Sequence, residues 1–193
     1  MAPLDPVAAE AGRGTPVPTV AAAPAVSSTR LPSCILRLLA IVLTLIAAIV
    51  MGAAKETITI DVNDYTLQGK AKSTYSSSFV YFIVANTLVC VYSAVCAGVS
   101  FLKQSNFALE LPIALGDLVA VVFLFTGNAA AAAVEIVAQK GNGHFGWDKV
   151  CRYAEKFCDH LSAAIVLSTF AGVAYLLLLV LTMVALHKRS RWM

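Results

Sequence analysis

Four long apolar runs constrain the fold more than any other feature of the sequence. They lie at 34–54, 79–100, 111–134 and 161–186, separated by polar segments. Because a helix rises about 1.5 Å per residue, each run is about 30 Å or more in length, which matches the hydrocarbon core of a bilayer. The sequence therefore predicts an all-α membrane protein in which four helices cross the bilayer as one bundle.

The composition agrees with a chain that is largely covered by lipid. Hydrophobic residues make up 59% and charged residues 13%, whereas globular chains carry roughly 25% charged residues. The net charge is only +3, and the basic residues do not form the aromatic-interleaved stripe that binds phosphate backbones. We expect membrane lipids as partners and no nucleic acid.

The segments between the runs define the topology. Residues 1–33 are rich in Pro and Ala and lack apolar periodicity, which indicates a disordered tail. The first run is expected to remain as a signal-anchor helix rather than to be cleaved. The loops at 55–78 and 135–160 are long, and the loop at 101–110 is short. Since the number of crossings is even, the first tail, the short loop and the tail at 187–193 should share one side.

Charge favours the cytoplasm for that side. The 14 Lys and Arg residues divide equally between the two sides, so their number alone does not decide the orientation. The cluster HKRSR directly after the fourth run, together with Arg30 and Arg37, places cations beside the spans. The positive-inside rule then predicts cytoplasmic termini.

Asp117 is the most informative single residue, because it lies about two turns into the third run. A charge at such a depth costs at least about 2.5 kcal/mol unless it is paired or protonated. Arg37 lies near the edge of the first run in the same leaflet, about 9 Å less deep. We expect a structural ion pair between the first and third helices. The alternatives are that Arg37 snorkels to the headgroups, and that Asp117 is the proton or ion site of a small-solute transporter or channel.

Other polar and small residues within the runs suggest close helix packing. Asn86 and Asn128 fall at similar depth in the opposite leaflet and are expected to hydrogen-bond across helices, which contributes roughly 0.6–2 kcal/mol in a bilayer. Small residues recur four apart, a spacing that lets helices approach closely within a bundle or between bundles. These pairs are Ala94/Gly98, Gly127/Ala131 and Ser168/Gly172.

The second long loop contains Trp147, Cys151 and Cys158. On a continuous helix the two cysteines would lie about 10.5 Å apart, beyond the roughly 7 Å that a disulfide allows between Cα atoms. A bridge therefore requires a break in the helix, and an oxidising compartment would favour it. A zinc site with His144 and His160 is an alternative, but their spacing matches no common ligand pattern. Trp147 is expected to anchor the loop at the interface or to pack beneath the bridge.

Catalytic motifs are missing from the sequence. There is no phosphate-binding Gly-rich motif, no HExxH and no nucleophile triad. None of the three histidines lies deep within an apolar run, where the axial ligand of a membrane haem would be needed. We expect neither an enzyme nor a bound cofactor.

Residues 33–187 resemble a plant family, the Casparian strip membrane domain proteins and their CASP-like relatives, and most of all the CASP-like 1 branch. The first run resembles the family through LRLLAIVLTLIAAIVMG followed by KET, with Arg37 at the arginine of the family's first helix. The second is similar through SSFVYFIVANTLVCVYS. The third, GDLVAVVFLFTGNAAAAAVEIVAQKGN, places Asp117 at the family's aspartate. The loop GHFGWDKVCRYAEKFC matches the family's tryptophan and its two cysteines.

This resemblance implies a plasma-membrane protein with cytoplasmic termini that forms homodimers and heterodimers with related members. Members of the family build stable membrane platforms that guide local cell-wall modification, and they are similar to the four-span MARVEL proteins. Members that build Casparian strips carry a Leu-Pro-Phe-Phe-Thr-type signature in the first extracellular loop. Here the corresponding stretch is ETITIDVNDY, so the resemblance does not extend to strip-building.

Overall fold

Each apolar run forms a helix that is longer than the run itself. The computed structural model describes residues 27–62, 65–102, 107–144 and 146–191. Its helices are α1 (Ser27–Ala53), α2 (Ser77–Leu102), α3 (Phe107–Lys140) and α4 (Glu155–Ser190). Within the described residues, all four are long and apolar enough to cross a membrane. The prediction of a four-span helical membrane protein is therefore confirmed.

Some of the predicted boundaries shift, and others lie outside the described residues. The expected disordered tail falls mostly in residues 1–26, and part of the expected short loop falls in residues 103–106; both stretches lie outside the described residues. At its C-terminal end, α3 continues six residues beyond the expected end at 134. The helix stops at Gly141, whose positive φ of 68° is a backbone conformation that residues with a side chain rarely adopt. A Cβ at this position would also lie 2.6 Å from the carbonyl oxygen of Trp147.

The four helices form a ring. Helix α1 packs against α2 and α4, and α3 packs against the same two helices, so α1 and α3 lie diagonally opposite. Successive helices alternate in direction. The starts of α1 and α3 and the ends of α2 and α4 meet at one end of the bundle, called the tail end below.

Two buried clusters fill the ring. The cluster at the tail end includes Leu124, Tyr175 and Leu178. The cluster at the other end includes Met51, Phe82 and Leu161. Many of the remaining core residues are alanines, whose small side chains allow the helices to approach closely. Large apolar side chains such as Leu45, Val91 and Leu177 are exposed, as expected for surfaces that face lipid.

The first long loop forms a β-hairpin, a structure that the sequence analysis did not anticipate. Strands β1 (Lys55–Val62) and β2 (Tyr65–Lys72) pair antiparallel, with Lys55 opposite Lys72 and Thr57 opposite Lys70. The inward face includes Ile58 and Ala71, which pack on the core cluster at this end. The side of the bundle that carries this hairpin is called the hairpin end below.

Candidate functional site

The two expected intramembrane charges meet at the tail end of the bundle. Arg37 Nη2 donates a hydrogen bond to Asp117 Oδ2 at 2.7 Å. Asp117 is fully buried and Arg37 is 8% exposed. Arg37 is five residues into the first span and Asp117 six residues into the third, which places them at nearly equal depths of about 7.5 and 9 Å. The expected difference in depth is smaller when counted from these span starts, because the first span begins at Pro32 rather than at 34.

A tyrosine from α2 completes the environment of Asp117. The Tyr92 hydroxyl lies 3.1 Å from Asp117 Oδ1 and 2.9 Å from the carbonyl oxygen of Ile113. Its single proton can be donated to only one of them at a time. The ring reaches this position because Gly116 has no side chain: a Cβ there would lie 2.6 Å from Tyr92 Cζ. Residue 116 must therefore be small for this contact to form.

A second diagonal contact, between α2 and α4, lies close to the ion pair. The Tyr175 hydroxyl is hydrogen-bonded to Ser93 and lies 3.3 Å from the carbonyl oxygen of Val89. If Tyr175 donates its proton to that carbonyl, Ser93 is the donor to Tyr175. The side chains of Tyr175 and Ser93 are fully buried. Both diagonals of the ring are thus joined by polar contacts near the tail end.

Asn86 and Asn128 each contact α4 instead of each other. Asn86 Oδ1 accepts a hydrogen bond from Ser168 at 2.9 Å, while its amide donates to the carbonyl oxygen of Phe82. Asn128 Nδ2 donates to Thr169 at 3.3 Å. The asparagines had been expected at similar depth and bonded across helices. Both do bond across helices, but the shared partner is α4.

The two loop cysteines form a disulfide at the hairpin end, with their Cα atoms 5.7 Å apart. The required break is present: a short 3-10 helix at Val150–Arg152 carries Cys151, and α4 begins only at Glu155. Cys158 is buried against the core cluster at this end. The bridge therefore fixes the loop to the first turn of α4.

Glu56 connects the hairpin to α4. Its Oε2 accepts a hydrogen bond from the backbone N–H of Phe157 at 2.9 Å. This N–H belongs to the first turn of α4, where donors lack partners within the helix and a negative charge is favoured by the helix dipole. Sequence reasoning missed this role, although Glu56 is the glutamate of the quoted KET motif. The contact spans 101 residues of sequence, which no local pattern reveals.

Glu135 is a second buried carboxylate that the sequence analysis placed in a loop. It lies within α3 and is 7% exposed. Its Oε1 accepts hydrogen bonds from Gln139 at 2.9 Å and from the Ser162 hydroxyl of α4. The apolar residues on both sides of it, AAAVEIVA, were the available signal that the helix continues.

The remaining site residues of the second loop lie at the surface. Trp147 is 62% exposed and borders a groove of about 520 Å³ together with Val134 and Val137 of α3. This exposure is compatible with an interfacial anchor, whereas a residue packed beneath the bridge would be buried. His144 and His160 are both exposed. Among the described residues, no group of three His, Cys, Asp or Glu side chains could hold a metal ion.

These contacts can hold the helices of the bundle together. Among the described residues, three buried polar atoms have no hydrogen-bond partner, Arg37 Nη1, Ser73 Oγ and Asn128 Oδ1. The two buried acids on α3 are eighteen residues apart, or about 27 Å along the helix, so they do not form one site. Core side chains such as Leu124 and Ala131 lie between them.

The fold and these contacts define a multi-pass helical membrane protein whose four spans are joined by buried polar pairs. Comparison with known families agrees: residues 26–174 match the Casparian strip membrane protein domain. The chain belongs to this family, which confirms the resemblance inferred from the sequence.

Similar curated proteins come from several plants. The chain is 45% identical to CASP-like protein 1E1 of Musa acuminata, over 84% of this chain and 85% of the relative. It is 40% identical to CASP-like protein 1E1 of Glycine max, over 81% and 87%. It is 38% identical to CASP-like protein 1E2 of Vitis vinifera, over 80% and 83%. No solved structure matches the chain.

Proposed function

We propose that this chain is a non-enzymatic scaffold of the plasma membrane that self-associates into membrane domains and guides local modification of the cell wall. The observation that carries the proposal is the Arg37–Asp117 pair. Both charges lie in the core, and each is the other's partner. The pair joins α1 to α3, and no other cation of the described residues pairs with Asp117.

The proposed orientation places both termini in the cytoplasm and the hairpin end outside the cell. The Cys151–Cys158 disulfide supports this orientation, because disulfides persist in oxidising compartments and are rare in the cytosol. The basic cluster that follows the fourth apolar run supports it independently. The hairpin and the second loop would then face the wall and any wall-modifying proteins that the scaffold recruits.

The partners proposed for the membrane region are lipids, a second copy of the chain and related family members. An outward surface of α2 suits a helix-to-helix contact. Ala94 is exposed there, and a Cβ built on Gly98 meets no atom within 4 Å. Of the three small-residue pairs, this one is open to the outside, whereas Gly127/Ala131 and Ser168/Gly172 are buried. Small residues four apart allow such close contacts in a bilayer.

The test is self-association and lateral mobility of the fluorescently tagged protein in a plant plasma membrane. We expect energy transfer between copies and slow recovery after photobleaching. Gly98→Leu should reduce the energy transfer because the leucine would separate the α2 helices. Val122→Leu, at a site that is 54% exposed on α3, is the control and should change little, because it lies away from the α2 surface. Free diffusion of the unsubstituted protein as a monomer would overturn the scaffold proposal.

The alternative, a transporter or channel that uses Asp117, receives less support from the site. Asp117 is 0% exposed and its carboxylate contacts Arg37 and Tyr92, so side chains of the described residues enclose it. Reconstituted vesicles decide between the two functions. An ion or solute flux that Asp117→Asn abolishes, while self-association survives, would favour the transporter.

A further inference from the structure

We propose that a slot between the base of the hairpin and the start of α4 binds the phosphate group of a membrane phospholipid. The slot has a volume of about 140 Å³ and is lined by Lys55, Lys156 and His160 among others. All three side chains are exposed. This site is separate from the buried polar pairs and does not depend on the proposed scaffold function.

The charges around the slot favour an anion. Lys72 lies directly opposite Lys55 in the hairpin register, and like charges in such a pair destabilise a sheet unless something neutralises them. Lys156 adds a third cation from α4. Of the described residues that line the slot, Glu56 alone carries a carboxylate, and its Oε2 already accepts the Phe157 N–H at 2.9 Å. Among the side chains that the structure describes, none of these lysines forms an ion pair.

The position of the slot identifies the source of the anion. Lys55 follows the end of α1 at Ala53 by two residues, and Lys156 is the second residue of α4. Both helix ends are also the ends of candidate spans, so the slot lies at the border of the hydrocarbon core, where lipid headgroups are concentrated. A lipid without a compensating headgroup cation should be preferred, since the slot is lined by two lysines and one engaged carboxylate.

Native mass spectrometry of the protein released from nanodiscs tests this assignment. The discs contain equal amounts of phosphatidylglycerol and phosphatidylcholine. We expect the protein to retain phosphatidylglycerol preferentially, and Lys55→Gln with Lys156→Gln to lower that preference roughly thirtyfold, as expected for two lysines near an anionic headgroup. The control, Lys140→Gln with Lys149→Gln, removes the same charge from exposed positions at the same end of the bundle and should retain the preference.

Two further arms separate lipid binding from lost folding and from capture of free phosphate. Lys55→Arg with Lys156→Arg keeps the charge and should keep the preference, as a folded protein with an intact cationic slot would. Inorganic phosphate added to the aqueous phase should not displace the lipid. The proposal is overturned if the unsubstituted protein shows no preference, if both glutamine pairs lose it equally, or if inorganic phosphate competes effectively.

Discussion

At the scale of single residues, breaking the Arg37–Asp117 pair should cost more stability than forming the pair contributes. Removing two charges from water has a large desolvation cost, which the attraction between them largely offsets. Removing one partner leaves a buried charge without compensation and costs about 3–5 kcal/mol. The Tyr92 hydroxyl also lies within hydrogen-bond distance of the carboxylate, and on loss of Asp117 its proton can still be donated to the carbonyl oxygen of Ile113.

A set of three variants tests that asymmetry. Asp117→Asn and Arg37→Met should each lower the free energy of unfolding by about 3–5 kcal/mol. Arg37→Met combined with Asp117→Leu should recover most of the loss, because apolar replacements of similar volume remove both desolvation costs. Unfolding in mixed detergent micelles measures all three. Equal stability of the single variants and the unsubstituted protein would show that the pair has no structural role.

Gly116 should tolerate substitution poorly, in contrast to Gly98. A Cβ on Gly116 would displace the Tyr92 ring from a distance of 2.6 Å at Cζ, so Gly116→Ala should cost about 1–3 kcal/mol. Gly98→Ala meets nothing within 4 Å and should stabilise its helix by up to about 1 kcal/mol. The same unfolding measurement shows whether each substitution lowers or raises the free energy of unfolding. The combination Gly116→Ala with Tyr92→Leu should regain part of the loss, and failure to do so would locate the strain elsewhere.

At the scale of the elements, the hairpin and α4 stabilise each other through Glu56. An isolated two-stranded hairpin is marginally stable in water, and the first turn of a helix needs partners for its N–H groups. The Glu56 carboxylate meets both needs with one hydrogen bond to Phe157. The Cys151–Cys158 bridge holds the segment just before that turn, so the start of α4 is fixed from two sides.

Substitution of Glu56 should therefore loosen the start of α4. Glu56→Ala is expected to lower the free energy of unfolding by about 1 kcal/mol, the usual effect of losing a helix cap. Glu56→Gln should cost less, since the amide oxygen can still accept the hydrogen bond and only the interaction of the charge with the helix dipole is lost. Hydrogen exchange of the Phe157 amide should accelerate more in Glu56→Ala than in Glu56→Gln.

The matched control for this prediction is Thr57→Ala. Thr57 is the next residue along β1 and is exposed on the opposite face of the hairpin. The Thr57→Ala substitution should leave hydrogen exchange of the Phe157 amide unchanged. Equal acceleration in Thr57→Ala and Glu56→Ala would mean that the hairpin as a whole, rather than the cap, protects α4.

The sequence was most informative where one physical requirement dominates. Four helices could be predicted because an apolar run of spanning length has few other structures available, and the meeting of Arg37 with Asp117 because an unpaired charge in a bilayer is costly. The β-hairpin was missed although the alternation in ETITIDV and the Asn-Asp pair after it are typical of a strand and a turn. Glu135 was assigned to a loop because its charge ended the apolar run, whereas donors from Gln139 and Ser162 compensate that charge within the helix. The partners of the two asparagines depend on helix rotation, which sequence spacing does not fix.

At the scale of the whole molecule, the distribution of polar groups is typical of contacts that hold helices together rather than of an ion pathway. The ion pair and its tyrosine lie near the tail end, and Glu135, the disulfide and the Glu56 cap lie toward the hairpin end. Between them, the core contains apolar side chains and the contacts of Asn86 with Ser168 and of Asn128 with Thr169. An ion moving from Asp117 to Glu135 would have to cross about 27 Å of this interior, which in this structure is filled by packed side chains.

A bundle without its intramembrane ion pair should therefore still assemble. The combined Arg37→Met and Asp117→Leu variant removes both charges, and the outward surface of α2 around Gly98 is not part of their contacts. If self-association depends on helix surfaces, this variant should give the same energy transfer between copies as the unsubstituted protein, while Gly98→Leu reduces it. Asp117→Asn alone should lower the amount of protein at the plasma membrane because of misfolding, yet the folded fraction should associate normally. If the charge-free bundle reaches the membrane as a monomer, the ion pair itself would have to take part in assembly, and the scaffold would be built on a rearranged core rather than on the outer helix faces.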